Sequence, residues 1–226
     1  MNLSTRSAVI AAAMAAASLA IASPGGAAPI AGRAGRIPPP NAKPAVHAPA
    51  LATFAGGCFW CMETAFEGMP GVLAVTSGFS GGPEKNPTYK DVSAGKTHHM
   101  ESVQVEYDPA RTSYAKLLTI YWHNIDPTQG DGQFCDHGAQ YRSAIFYRSP
   151  EERRLAQISE RAAAAEIRIK KPFVTQIVPF TAFWPAEEYH QDYYKKNPAD
   201  YHAYRTGCGR DRRLKELWGA VPHTAG

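Results

Sequence analysis

Leu51-Ala52-Thr53-Phe54-Ala55-Gly56-Gly57-Cys58-Phe59-Trp60-Cys61-Met62-Glu63-Thr64-Ala65-Phe66 is the stretch on which the reading of this chain turns. Leu51 to Phe54 is a short apolar run suited to a strand, Gly56-Gly57 breaks it, and Cys58 opens an apolar helix to about Phe66. A thiol therefore sits where a strand gives way to a helix N-terminus. There the unpaired N–H groups and the positive end of the helix dipole favour a thiolate, the nucleophilic form of cysteine. Cys58 is a candidate nucleophile on that ground. The two glycines let backbone approach a substrate closely, and Phe59 and Trp60 offer a flat apolar surface next to the sulfur, a setting for a small apolar group.

The residues alone leave three other readings of this stretch. Cys58 and Cys61 have the spacing of half a zinc site, although the chain has no second such pair and Cys135 and Cys208 stand alone. They also have the spacing of a thioredoxin-type redox pair. Thirdly, Cys58 is small and apolar enough to be an inert core residue.

Outward from this stretch the elements follow in a definite order. Val72 to Phe79 reads as a second strand and 102–107 alternates polar and apolar at period two, as a half-buried third strand should, with a loop from Ser80 to Met100 between them. Tyr114, Leu117, Leu118, Tyr121 and Trp122 fall on one helical stripe behind Ser113, a possible cap, and Arg142 to Arg148 is a further strand. The order β-α-β-β-α-β predicts an α+β fold, a ferredoxin-like two-layer sandwich with helices on one face of an antiparallel sheet. Beyond it, the spacing of Leu155, Ile158, Ala162, Ala165 and Ile169 predicts a helix over 150–169. Phe173 to Phe180 reads as a strand and 185–195 as a short aromatic helix, so the core carries an extra C-terminal helix and coil.

The chain has 226 residues, 44% hydrophobic and 11% aromatic, enough for one sizeable core. A net charge of +4 with 19% charged residues supplies no basic field for nucleic acid. Four cysteines are far too few for a disulfide-stapled scaffold, so chemistry is the better expectation for them. Residues 1–22 combine Arg6, an Ala-rich apolar run and Ala20-Ile21-Ala22 before Ser23, the pattern of a cleaved secretory signal. The run is short and weakly apolar for a bilayer span, so no stable membrane insertion is expected after cleavage. Residues 23–50, with Pro38-Pro39-Pro40, read as a linker, 51–219 as the folded domain and 220–226 as a tail. The expected location is secreted, in the periplasm.

Gly57-Cys58-Phe59-Trp60 after a strand is followed by Gly81-Gly82, Asn86-Pro87-Thr88-Tyr89, His99-Met100-Glu101, Asp126-Pro127 and Asp136-His137-Gly138-Ala139-Gln140-Tyr141-Arg142-Ser143. This ordered set, spread from about Phe54 to Trp218, resembles the A-type peptide methionine sulfoxide reductases. The resemblance implies that Cys58 attacks the sulfur of methionine-S-sulfoxide, free or in oxidised proteins, while Phe59 and Trp60 wall the pocket for the substrate's methyl group. It implies that Glu101 is the acid that protonates the departing oxygen, and that Tyr89 and Tyr141 donate hydrogen bonds to that oxygen. Asp136 takes a positioning role at the substrate. The chemistry agrees: a partly buried carboxyl keeps a proton near neutrality, and a phenol stays protonated there.

A sulfenic acid left on Cys58 needs a second thiol. Cys61 stands at i, i+3, and Cys208 lies in Gly207-Cys208-Gly209, where glycines would let a tail reach inward. The sequence favours Cys208 as first resolver with Cys61 as alternative, and leaves Cys135 as a bystander or third participant. The family more commonly carries Gly where this chain has Cys61. No metal and no bound cofactor is expected, with electrons coming from a thioredoxin-like protein. A thiol-disulfide oxidoreductase or a cysteine peroxidase is the competing class of enzyme, neither of which needs Glu101 or the two tyrosines.

Overall fold

A computed structural model describes residues 48–220, so the predicted leader and nearly all of the predicted linker lie outside the described residues. Its elements are β1 (Ala50–Gly56), α1 (Phe59–Phe66), β2 (Val72–Ser80), α2 (Tyr89–Ser93), β3 (Met100–Tyr107), α3 (Tyr114–His123), β4 (Gly132–Gln133), β5 (Asp136–His137), β6 (Ser143–Tyr147), α4 (Pro150–Glu166), β7 (Gln176–Pro179), β8 (Phe183–Pro185), α5 (Tyr193–Lys196), α6 (Pro198–Gly207) and α7 (Arg210–Trp218). Helices and strands are mixed around a six-stranded sheet of order β7-β6-β1-β3-β2-β8. Every neighbouring pair in it is antiparallel except β6 and β7. No helix among the described residues is long and apolar enough to cross a membrane.

Strand β1 runs through the middle of the sheet, and its sequence explains why. Ala52 and Phe54 face the main core, where the Phe54 ring stacks on Phe66 of α1 at 5.3 Å and on Tyr121 of α3 at 5.1 Å. On the opposite face Ala55 packs with Ala144, Phe146 and Met100 in a smaller cluster. A strand buried on both faces does not alternate: Ala52 to Ala55 are all buried, the polar Thr53 among them accepting from Arg148 Nη2 at 2.7 Å. Strand β3 alternates as its sequence predicts, and the Ser113 hydroxyl caps α3 by accepting from the Lys116 N–H at 3.3 Å.

Two parts of the sequence reading are corrected. The expected loop between β2 and β3 contains α2, started by Thr88, whose hydroxyl accepts from the Asp91 N–H. The C-terminal region is not one short helix and coil: after a 3-10 turn at Glu188–His190 come α5, α6 and α7. Pro198 at the first turn starts α6, Gly209 in the left-handed region (φ 71°) separates it from α7, and Leu214, Leu217 and Trp218 anchor α7 in the core at helical spacing. Cys208 thus stands at a packed junction of two helices and not in a loose tail.

Candidate active site

Cys58 is the N-cap residue of α1, with non-helical backbone (φ −49°, ψ 120°) and a carbonyl that accepts from the N–H groups of Cys61 and Met62. The approach from β1 is tight. Gly57 has φ +79°, and a Cβ there would lie 2.6 Å from the Gln133 side chain; a Cβ on Gly56 would meet Met62 Sδ at 2.5 Å. Only glycine fits this turn, so the backbone places the thiol without freedom to drift.

Glu101 arrives from β3. The register that pairs Ala55 with Ser102 sets the Glu101 carboxylate against the start of α1, where Oε2 accepts from the Phe59 N–H at 3.1 Å. The residue is 2% exposed. Burial pushes its carboxyl up to about 8, against the pull of the Phe59 hydrogen bond, with Asp136 and Cys61 adding smaller upward contributions. At neutral pH it is an acid with a proton to give.

These groups face a cavity of about 60 Å³ lined by Cys58, Phe59, Trp60, Tyr89, Glu101, Asp136, Tyr141 and Tyr204. The seven pocket residues expected from sequence all converge there. Tyr89 comes from the start of α2, Tyr141 from a 3-10 turn at Ala139–Tyr141, and Asp136 from the small β4–β5 ladder. Burial raises both tyrosines above their ordinary value, so their hydroxyls remain donors at any physiological pH. Asp136 is also raised, first by burial, while the hydrogen bond it accepts from the Tyr204 hydroxyl opposes that shift. A larger groove of about 480 Å³ opens beside Cys208 and is lined by Asp126, Phe134, Lys171 and Arg212 among others, but none of the acid, nucleophile and tyrosine set reaches it.

Two residues of the site were not expected from sequence. Tyr204 holds Asp136 and meets the Trp60 ring edge-on at 5.9 Å. His190 accepts from the Trp60 indole N–H at 3.2 Å through Nδ1 and is pushed down to about 4 by burial, so it is neutral and able to accept. Trp60 is further fixed by Tyr193, stacked at 3.8 Å. Both helpers follow the motif by more than 120 residues, beyond the reach of any local pattern.

The four thiols fall into two pairs. Cys58 and Cys61 are free and buried, in one cluster with Tyr194 and Tyr201. Cys208 forms a disulfide with Cys135, so the sequence expectation of a tail cysteine free to move inward is corrected, and Cys135 is no bystander. The expectation about ionisation is also refined. Burial raises the Cys58 thiol, and contact with Cys61 raises it further. Cys61 is lowered to about 6, foremost by its hydrogen bond with Cys58, then by the charges of Arg210 and Arg205.

A free thiol set against a buried, proton-bearing carboxyl in a small aromatic cavity, with a second thiol in the same buried cluster, is the arrangement of a cysteine-dependent oxidoreductase. The chain belongs to the peptide methionine sulfoxide reductase family, whose profile matches residues 50–221. It is 52% identical over 178 residues to peptide methionine sulfoxide reductase MsrA 2 of Caulobacter vibrioides, covering 78% of this chain and 90% of that one. To the MsrA of Bacillus licheniformis it is 50% identical over 169 residues, 75% and 93% of the two chains. Among solved structures, reduced Mxr1 of Saccharomyces cerevisiae matches at 30% identity and a TM-score of 0.63, over 67% of this chain and 87% of that one. Methionine sulfoxide reductase A of Corynebacterium diphtheriae matches at 35% identity and a TM-score of 0.59, over 66% and 76%.

Proposed function

We propose that this enzyme reduces the S epimer of methionine sulfoxide, free or in oxidised proteins, with Cys58 as nucleophile and Glu101 as acid. The observation that carries this reading is the shared wall of one small cavity: the Cys58 sulfur and a protonated Glu101 face the same space. A sulfoxide oxygen leaves only when protonated. Cys58 attacks sulfur as its own proton passes to Cys61. The Glu101 proton goes to the oxygen, with Tyr89 and Tyr141 donating to it; the resulting hydroxyl passes from the substrate sulfur to the Cys58 sulfur as the bond between the two sulfurs breaks, so methionine departs and Cys58 is left as sulfenic acid. Phe59 and Trp60 take the methyl side of the substrate. Asp136, held by Tyr204, positions the polar side.

Cys61 then displaces water from the sulfenic acid to form a Cys58–Cys61 disulfide, and a dithiol returns both to thiols as it is itself oxidised. The order Cys61 before Cys208 reverses the sequence expectation, because Cys61 shares a buried cluster with Cys58 while Cys208 is engaged with Cys135. Cys58 lies at the N-cap with non-helical backbone, outside the regular helical turn whose geometry argued against this pairing. Cys208 acts later, as an exchange partner nearer the surface. The electron donor is a thioredoxin-like protein, and the chemistry described needs no metal or bound cofactor.

The location is exported and periplasmic, a reading supported by Arg6, the Ala-rich run and Ala20-Ile21-Ala22. The central strands with α1 and α3 form a ferredoxin-like βαββαβ unit, supported by the order β6-β1-β3-β2 with antiparallel neighbours. The reading of the site is tested in Cys61→Ser protein given one equivalent of peptide methionine-S-sulfoxide. Dimedone added afterwards should label Cys58 in step with the methionine formed. Methionine formation with the label on another cysteine, or unchanged turnover in Cys58→Ser, overturns it.

A further inference from the structure

The Cys135–Cys208 disulfide stands directly behind the wall of the substrate cavity. Asp136, next in sequence to Cys135, lines that cavity, and so does Tyr204, one helical turn before Cys208, whose N–H donates to the Tyr204 carbonyl at 2.8 Å. The Tyr204 hydroxyl donates to Asp136 Oδ2. Two side-chain links therefore join the same two segments side by side, a covalent one from Cys135 to Cys208 and a polar one from Asp136 to Tyr204. The Cys135 N–H adds a hydrogen bond to Cys208 Sγ at 3.2 Å.

The other partners of these segments show which side would give way. Strand β4 is fixed without the disulfide: Gln133 is buried, and its side-chain amide accepts from the Asp126 N–H and donates to the Asp126 carbonyl, each at 2.8 Å. The turn that follows is held as well, since the Phe134 N–H donates to Gln129 Oε1 at 2.6 Å and the Phe134 ring lies 4.4 Å from Arg210 Cζ on α7. Helix α6 is anchored to α1 by the Tyr201 hydroxyl, 2.8 Å from that of Thr64. Strand β5 is the weakly held member. Cys135 and His137 on either side of Asp136 are exposed, and among the described residues the Asp136 carboxyl has one hydrogen-bond partner outside its own hairpin, Tyr204.

We propose that the Cys135–Cys208 disulfide is a redox-sensitive clamp on the polar wall of the substrate cavity. Closed, it holds β5 against the α6–α7 junction and keeps Asp136 on Tyr204; opened, it lets β5 part from α6, and sulfoxide binding weakens. The clamp is within reach of a reductant, because Cys135 is exposed and Cys208 borders the groove of about 480 Å³. A dithiol opens it: one thiolate attacks a sulfur of the disulfide, the second resolves the mixed disulfide, and Cys135 and Cys208 are left as thiols while the reductant becomes a disulfide, two electrons and two protons having passed between them. Cys208 is free for exchange only in the open state. The inference rests on the proposed function for the place of Asp136 at the substrate, and it gives Cys135 a positioning role that the sulfoxide chemistry leaves open.

Binding is measured in the full chain carrying Cys58→Ser, which lacks the nucleophile and leaves Cys61 without its neighbouring thiol, so that a reductant acts on Cys135–Cys208 alone. The protein is titrated with peptide methionine-S-sulfoxide by calorimetry when oxidised, after dithiothreitol, and after reoxidation, with disulfide mapping to fix each state. Reduction should weaken binding by about three- to tenfold, and reoxidation should restore it. Adding Cys135→Ser should give the affinity of the reduced protein with or without dithiothreitol. Adding Tyr204→Phe instead separates the clamp from a general loosening: with the Asp136 hydrogen bond already absent, reduction should weaken binding by less than about twofold. Equal affinity in the oxidised and reduced states overturns the clamp and leaves the sulfoxide reading in place, as does an undiminished loss on reduction in the Tyr204→Phe protein. Oxidised Cys58→Ser protein that binds no S-sulfoxide overturns the reading of the cavity and the clamp with it.

Discussion

Replacing Glu101 by Gln keeps the shape of the side chain and its acceptor for the Phe59 N–H, and removes the transferable proton. The structure sets the size of the effect. With its carboxyl pushed up to about 8 and 2% exposed, Glu101 is protonated in roughly nine of ten molecules at pH 7. Wild-type single-turnover reduction should therefore hold level through neutrality and fall about tenfold per unit above pH 8. Glu101→Gln should be slower by about 10²-fold or more at pH 7, and its basic limb near 8 should disappear. Stability should move the other way. The folded value lies above the unfolded one, so the native state keeps a proton that the unfolded chain releases, and wild-type stability falls as pH rises from about 4.3 to about 8. At about 1.4 kcal/mol per unit the accumulated cost is on the order of 3–5 kcal/mol above pH 8, and the Gln variant escapes it. The assay is rapid-quench measurement of methionine formed with enzyme in excess, beside urea unfolding at pH 5 and pH 8.5. A Gln variant with near wild-type rate and an unmoved basic limb would refute the assignment and shift the acid role to the tyrosines.

The thiol order makes a separable forecast: one turnover of methionine should form in Cys61→Ser and in Cys208→Ser alike, while thioredoxin-driven turnover should collapse in Cys61→Ser, as steady-state kinetics and disulfide mapping would show. A Cys58–Cys208 disulfide recovered from oxidised wild type would reverse that order. Tyr204→Phe removes the hydroxyl that holds Asp136 and should weaken sulfoxide binding several-fold with a smaller change in the chemical step, read as a rise in KM against kcat. Expressed with its own leader, the protein should appear in the exported fraction with a new N-terminus near Ser23, checked by intact mass; retained Met1 in the cytoplasm contradicts the leader reading.

The sequence disclosed those parts of the fold that carry a local pattern. Strand β3 alternates at period two, α3 repeats its stripe at helical spacing behind Ser113, and the glycines before Cys58 mark a turn that the structure shows has no room for a side chain. The pocket residues were legible because their motifs are contiguous and ordered. What stayed hidden depends on contacts between distant segments. Cys135 and Cys208 are 73 residues apart, and neither has a neighbour that hints at the other; the usable signal was the combination of an expected export leader with an even number of cysteines. Tyr204, His190 and Arg210 lie on C-terminal segments whose polar composition concealed how they return to the site. Cys58 ionisation was misjudged for a related reason: the helix N-terminus was visible in sequence, but the burial that raises the thiol was not.

The central claim is that one cavity, with Cys58, Glu101, Tyr89 and Tyr141 fixed around it, reduces a methionine sulfoxide of a single hand. The direct measurement gives the purified enzyme the separated S and R epimers of one peptide methionine sulfoxide, with dithiothreitol as reductant, and follows methionine by chromatography. A cavity of about 60 Å³ that places methyl and oxygen on chemically different walls cannot exchange them without a large loss, so the S epimer should be consumed and the R epimer left essentially intact. Equal consumption of the two, or turnover of R alone, would contradict the account.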